Sequence, residues 1–268
     1  MSGLQTTGCL ALLASLGTLS TAHADVINDK IDISAGIFLI ETSTTFRVDG
    51  TARTGTDVNL NRDLGLGNTN SFRFDGYWRF ATRHKIRIEY FDEVRSADHT
   101  INRQISIGDT TFDVNTQLSA RVKTVNIEGA YEYAFMRGET YELAGSVGVY
   151  DMYYKFSASA VGQTSNASAS ARADFNGPLP VIGLHYLWQF TPEWNLDVLA
   201  EFFALSVNPY TGTLQNYNVS VAYMPTKHFG AGLGWNEFIL NTSLDSHDFN
   251  GTMSLKYGGL RFYVKYEY

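Results

Sequence analysis

Two neighbouring stretches restrict this chain more than any other feature. In 70–82 (NSFRFDGYWRFAT), Phe72, Phe74, Trp78 and Phe80 hold even positions, while Arg73, Asp75, Tyr77 and Arg79 hold odd ones. In 85–95 (KIRIEYFDEVR), Ile86, Ile88, Tyr90 and Val94 alternate with Arg87, Glu89, Glu93 and Arg95. Successive side chains of a strand leave on opposite faces, so each stretch is a ribbon with one apolar and one ionic face. A helix would scatter both kinds around its circumference.

The same period recurs along the chain. Ile127, Tyr131, Tyr133 and Phe135 alternate with Glu128 and Glu132, and Tyr141 and Leu143 flank Glu142. Leu184, Tyr186 and Trp188 alternate with His185, and Leu196, Val198 and Phe202 with Asp197 and Glu201. The 16 Tyr, 17 Phe, 24 Gly and 5 Pro suit a sheet protein with many turns. Ten strands are expected: 31–48, 70–82, 85–96, 118–135, 140–156, 180–190, 194–206, 213–224, 228–241 and 252–268. Short polar connectors at 83–85, 136–139, 191–193 and 225–228 join them at one end. Longer ones at 50–69, 97–117, 162–177, 207–212 and 243–250 join them at the other. The fold class is all-β, an antiparallel up-and-down transmembrane barrel. Strand-like sequence inside 50–69 and 97–117 leaves twelve strands as the main alternative and eight as the lesser.

Alternation alone suits a soluble barrel, apolar face inward, or a membrane barrel, apolar face to lipid. Aromatics at segment ends (Trp78, Phe80, Phe135, Trp188, Phe190, Trp194, Tyr223) match the girdles of the second. An arginine facing lipid near the midplane costs about 2–4 kcal/mol, so the ionic face turns inward. The lumen is therefore expected to hold Arg73, Asp75, Arg79, Arg87, Glu89, Glu93, Arg95, Glu128, Glu132, Glu142, Asp197, Glu201, Arg261, Lys265 and Glu267.

The N-terminal region agrees with an exported chain. Residues 10–20 form an apolar run too short to span a bilayer as a helix, and Ala22 and Ala24 supply a small-x-small cleavage pattern. Residues 1–24 read as a signal peptide and 25–268 as the barrel, although no Lys or Arg precedes the apolar run. Cys9, the only cysteine, falls inside that leader. A net charge of -7 without a basic run argues against nucleic acid as a partner.

The last strand is the most specific segment. Leu260, Phe262, Val264, Tyr266 and Tyr268 share one face opposite Arg261, Tyr263, Lys265 and Glu267, and the chain stops on an aromatic. This resembles the terminal strand of small bacterial outer-membrane β-barrel proteins. The resemblance implies a Gram-negative outer membrane, with membrane lipid and the barrel assembly machinery as partners; nothing in the chain specifies an oligomeric state. Just before it, Met253, Leu255 and Tyr257 have the opposite apolar parity, which predicts a β-bulge at Gly258–Gly259.

No enzyme motif emerges. Omptin-like proteases share a ten-strand architecture and use paired acids with an Asp-His couple; here Asp245-Ser-His247 has no Asp-x-Asp partner. Barrel lipid A deacylases carry His-x-Ser, which is missing here; His185, on the lumen face, is better explained by a structural hydrogen bond. No histidine spacing suits a metal, and no cofactor is implied. The favoured reading is a structural or surface-displaying barrel with a charge-plugged lumen. A narrow passive channel for ions or small solutes is the alternative, and an outer-membrane hydrolase a distant third.

Overall fold

The computed structural model describes residues 25–52, 54–160, 169–207, 210–245 and 250–268. The leader assigned to 1–24 lies outside these residues. Thirteen strands and one short helix are present among them, and ten of the strands form the wall: β1 (Ile31–Asp49), β3 (Thr69–Ala81), β4 (His84–Thr100), β7 (Gln117–Arg137), β8 (Tyr141–Ala160), β9 (Ser170–Thr191), β10 (Trp194–Val207), β11 (Tyr210–Tyr223), β12 (Phe229–Asp245) and β13 (Asn250–Glu267). Each pairs antiparallel with its neighbour, and β1 pairs with β13 from Asp32↔Glu267 to Asp49↔Asn250, closing the cylinder without an edge. The chain enters and leaves at the end of the short turns, which is the periplasmic end.

The wall's outer face carries a continuous apolar belt. On β7 it runs from Phe135 through Tyr133, Tyr131 and Ile127 to Val125. On β13 it runs from Tyr268 through Val264 and Phe262 to Leu260. About ten residue steps of roughly 3.3 Å, tilted about 40°, give a height of about 25 Å, the depth of an outer-membrane hydrocarbon layer. Phe72 and Phe262 remain 55% and 52% exposed while Arg73 is 0% exposed, so the apolar edge faces out and the ionic edge in.

Above the belt the pattern reverses without any change of register. On β8 the inward residues pass from Glu142, Ala144 and Ser146 to Met152, Tyr154, Phe156 and Ala158, as the outward ones pass from Leu143, Val147 and Val149 to Asp151 and Lys155. On β13 Arg261, Tyr263 and Lys265 point inward below, and Leu255 and Tyr257 above, all on odd positions. The expected bulge at Gly258–Gly259 is therefore incorrect: β13 pairs without interruption with both β1 and β12 through these glycines. Apolar parity changes because the medium outside the wall changes from lipid to water.

The interior of the upper half is dominated by buried apolar side chains. Phe38, Phe91, Tyr150, Phe238 and Tyr257 meet edge-on or stacked, with Phe91–Tyr257 centroids 4.9 Å apart and Phe238–Tyr257 4.6 Å. These rings fill the lumen above the expected charges of the periplasmic half. The 50–69 and 97–117 connectors add no spanning strands. They form β2 (Val58–Asn59), helix α1 (Leu60–Leu64) and the hairpin of β5 (Ile105–Ile107) and β6 (Thr110–Phe112). Asn59 caps α1 by accepting from the Arg62 amide, and Gly65 ends it at φ 71°, a left-handed turn that glycine adopts without strain. Leu60, Leu64, Leu66, Ile101, Ile105, Ile107 and Phe112 seal the extracellular mouth as one cluster.

Strands also extend further than the sequence suggests. β9 begins at Ser170 inside the expected 162–177 connector, and β11 begins at Tyr210 inside the expected 207–212 one. Pro178 and Pro180 lie in β9 where only β8 flanks it, since pairing with β10 reaches no further than Ile182↔Phe202. A proline is tolerated in a strand at such an edge.

Candidate functional site

The alternation places the ionic groups inside the wall, and burial forces them to pair: an unpartnered charge in this interior would lose hydration without return. All fifteen residues expected in the lumen line it, in four groups. The largest is a relay across the periplasmic half. Glu142 accepts from Arg79 at 2.5 Å and forms an ion pair with Lys85 at 2.8 Å, and Lys85 lies 3.0 Å from Glu132. Arg87 binds Glu132 at 2.8 Å, Glu128 at 2.6 Å and also Glu201. Glu201 in addition accepts from the Tyr150 hydroxyl at 2.7 Å and from Asn216 at 3.0 Å.

His185 bridges two carboxylates, with Nδ1 2.9 Å from Glu132 and Nε2 3.1 Å from Asp197. Carboxylates only accept, so this arrangement suits a ring that donates from both nitrogens. A second group joins Glu89 to Arg73 at 2.6 Å, Arg73 to Asp75 at 2.9 Å, and Asp75 to Arg261. The Arg261 guanidinium lies 4.5 Å from the centroid of the Tyr263 ring, and that ring occupies the space beside Gly232, where a Cβ would fall 2.3 Å from Cζ. Lys265 ties Asp32 at 2.9 Å to Glu267 at 2.7 Å. Glu93 and Arg95 stand apart, higher up, paired at 3.1 Å and bonded to Thr42 and Thr44.

Sequence reasoning missed several members. Lys85 reads as part of a turn, yet it shares the parity of Arg87 and Glu89, the signal that identifies it. Asp32 shares the inward parity of β1. Arg137 reaches Glu142 at 3.4 Å from the end of β7, beyond the expected end of that strand.

Between the groups lies a cavity of about 50 Å³ bordered by Asp32, Asp75, Arg87, His185, Asp197 and Arg261 among others. That is room for a few waters and no larger guest. Below it, residues 25–30 fold into the periplasmic mouth: Val26 and Ile27 pack on Tyr77 and Leu187, and Arg79 donates to the Asp29 carbonyl at 3.1 Å. Burial, reinforced by Glu267 nearby, pushes the Asp29 carboxyl up to about 8. At the other mouth the opposite holds. Burial would raise Asp63, but hydrogen bonds from Arg62, Arg103 and the Asn59 amide outweigh it and hold the carboxyl at about 2.

A closed ten-strand antiparallel barrel, ringed by an apolar belt and filled with paired charges at belt height, is an integral outer-membrane β-barrel. No family model and no curated protein sequence matches the chain. Among solved structures, the outer membrane protease OmpT from Escherichia coli is similar at a TM-score of 0.57, with 13% identity over 89% of this chain and 96% of that one. The likeness is one of fold. Ail, the attachment invasion locus protein of Yersinia pestis, is similar at a TM-score of 0.36, with 12% identity over 90% of this chain and 99% of that one. The CymD monoaromatic hydrocarbon channel is similar at 0.36, with 10% identity over 90% and 70%. The last two are too distant for any role to be argued from them. His247, considered above beside Asp245, lies outside the described residues.

Proposed function

We propose that the protein is a structural, surface-displaying barrel of the Gram-negative outer membrane whose lumen passes no solute. It is exported through removal of residues 1–24 and inserted by the machinery that reads the aromatic end of β13. The observation that carries this reading is the double obstruction of the lumen. Paired charges cross it at belt height, and a close-packed aromatic core fills it above, under a lid built from α1 and the β5–β6 hairpin. What the molecule presents to its surroundings is then its extracellular rim.

Planar-bilayer recording tests the reading. The purified barrel is expected to give no single-channel steps at neutral pH in molar salt. Reproducible steps would overturn it in favour of a narrow channel, for which the small charged cavity is the one supporting feature. A hydrolase is disfavoured because both nitrogens of His185 are engaged by carboxylates and neither is free to activate a nucleophile. Hydrolysis lost on His185→Ala or His247→Ala would reverse that judgement.

A further inference from the structure

Outside the wall, the cations above the belt fall into two kinds. Lys256 is paired with Glu237, and Arg47 with Asp49 at 2.7 Å. Arg121, Lys123, Lys155 and Arg172, on the adjacent strands β7, β8 and β9, form no ion pair or hydrogen bond among the described residues. The register brings them together: Lys123 sits directly opposite Lys155, and one outward step higher Ser157 lies between Arg121 and Arg172. Like charges facing each other across a strand pair are destabilising unless something negative lies over them. The only carboxylate on these two levels of the three strands is Asp174, opposite Lys155, beyond ion-pair distance; Asp92, Asp98 and Asp151 stand at the margins. In a chain of net charge -7 this is an unexpected concentration of positive charge.

Its height indicates the partner. On β7 the last apolar outward residues are Ile127 and Val125, and Lys123 and Arg121 follow directly. Each outward step rises about 5 Å along a tilted strand, so the two lie roughly 5 and 10 Å above the hydrocarbon edge, and Lys155 and Arg172, beyond the outward Asp151 and Asn176 of their own strands, lie higher. The headgroup layer is itself about 5–7 Å thick on each side, and long cationic side chains adjust their reach within it. The geometry points to a docking surface for the phosphate-bearing headgroup of an outer-leaflet lipid, held by Arg121, Lys123, Lys155 and Arg172. Phosphate oxygens would bridge the Lys123–Lys155 pair, and the guanidinium groups would close on the headgroup from above. This inference uses the membrane level set by the belt and is independent of whether the lumen conducts.

Native mass spectrometry of the folded full-length barrel in non-ionic detergent tests it, with diphosphoryl lipid A, its dephosphorylated form and phosphatidylcholine as probes. The protein is expected to retain diphosphoryl lipid A at least about tenfold more tightly than either control, with retention weakening as salt rises. Combined Arg121→Gln, Lys123→Gln, Lys155→Gln and Arg172→Gln is expected to abolish that preference, and Lys256→Gln, which removes a cation already paired, to leave it intact. A heat-dependent gel shift confirms that each variant is folded. Equal retention of all three probes, an unchanged preference in the fourfold variant, or complete displacement by millimolar inorganic phosphate would overturn the proposal.

Discussion

Arg87 is the node whose removal most directly tests the lumen's energetics. Its guanidinium spans three carboxylates, reaching Glu128 at 2.6 and 2.8 Å, Glu132 at 2.8 Å, and Glu201. Arg87→Met would affect them unequally. Glu132 keeps Lys85 and His185, and Glu201 keeps Tyr150 and Asn216, whereas Glu128 keeps no ion pair. Stranding one buried charge in this way costs about 3–5 kcal/mol, close to three orders of magnitude in the folding equilibrium. Urea unfolding of the barrel in phospholipid vesicles, followed by tryptophan emission and by the gel shift, measures it. Adding Glu128→Met to Arg87→Met removes the stranded charge and is expected to recover more than half of the loss. A single variant that loses less than about 1 kcal/mol, or a double variant no more stable than the single, would refute the reasoning.

Phe91→Ala removes a ring that packs against Phe38 and Tyr257 in the upper core and is expected to cost about 3–5 kcal/mol in the same unfolding assay. Phe262→Arg places a cation in the lipid belt and is expected to cost about 2–4 kcal/mol, while Thr213→Arg, above the belt between the neutral Ala204 and Asn241, is expected to be nearly neutral. The extracellular lid should respond to acid. Because Asp63 titrates at about 2 in the fold against an ordinary 3.8, its support of α1 is complete above about pH 4 and is lost as pH falls toward 2. Protection of the amides at residues 58–66, relative to their intrinsic exchange rate at each pH, is expected to fall across that window and to be low already at pH 7 in Asp63→Asn.

Much of this architecture was legible in the chain. The ten wall strands, the short periplasmic turns and the fifteen inward residues follow from one periodicity and one transfer free energy. Met253, Leu255 and Tyr257 are out of phase with Leu260 in apolar parity because the medium outside the wall changes from lipid to water; they face inward in the same register as Arg261. Lys85 was hidden by its place beside a turn, and the start of β9 by Gly177, Pro178 and Pro180, which signal a loop unless one knows that a neighbouring strand has already left. The pairing of Arg87 with Glu201, 114 residues away, depends on closure and is beyond any local pattern.

The reversal of sidedness along each strand has a mechanical consequence. Moving the barrel outward by one residue pair would lift Val125 and Leu260 into water; moving it inward would draw Lys123 into oil after one pair and Lys256 after two. Both displacements are resisted around the whole circumference, so the cylinder acts as a depth gauge, and a membrane of different thickness must deform to meet it because the protein cannot slide.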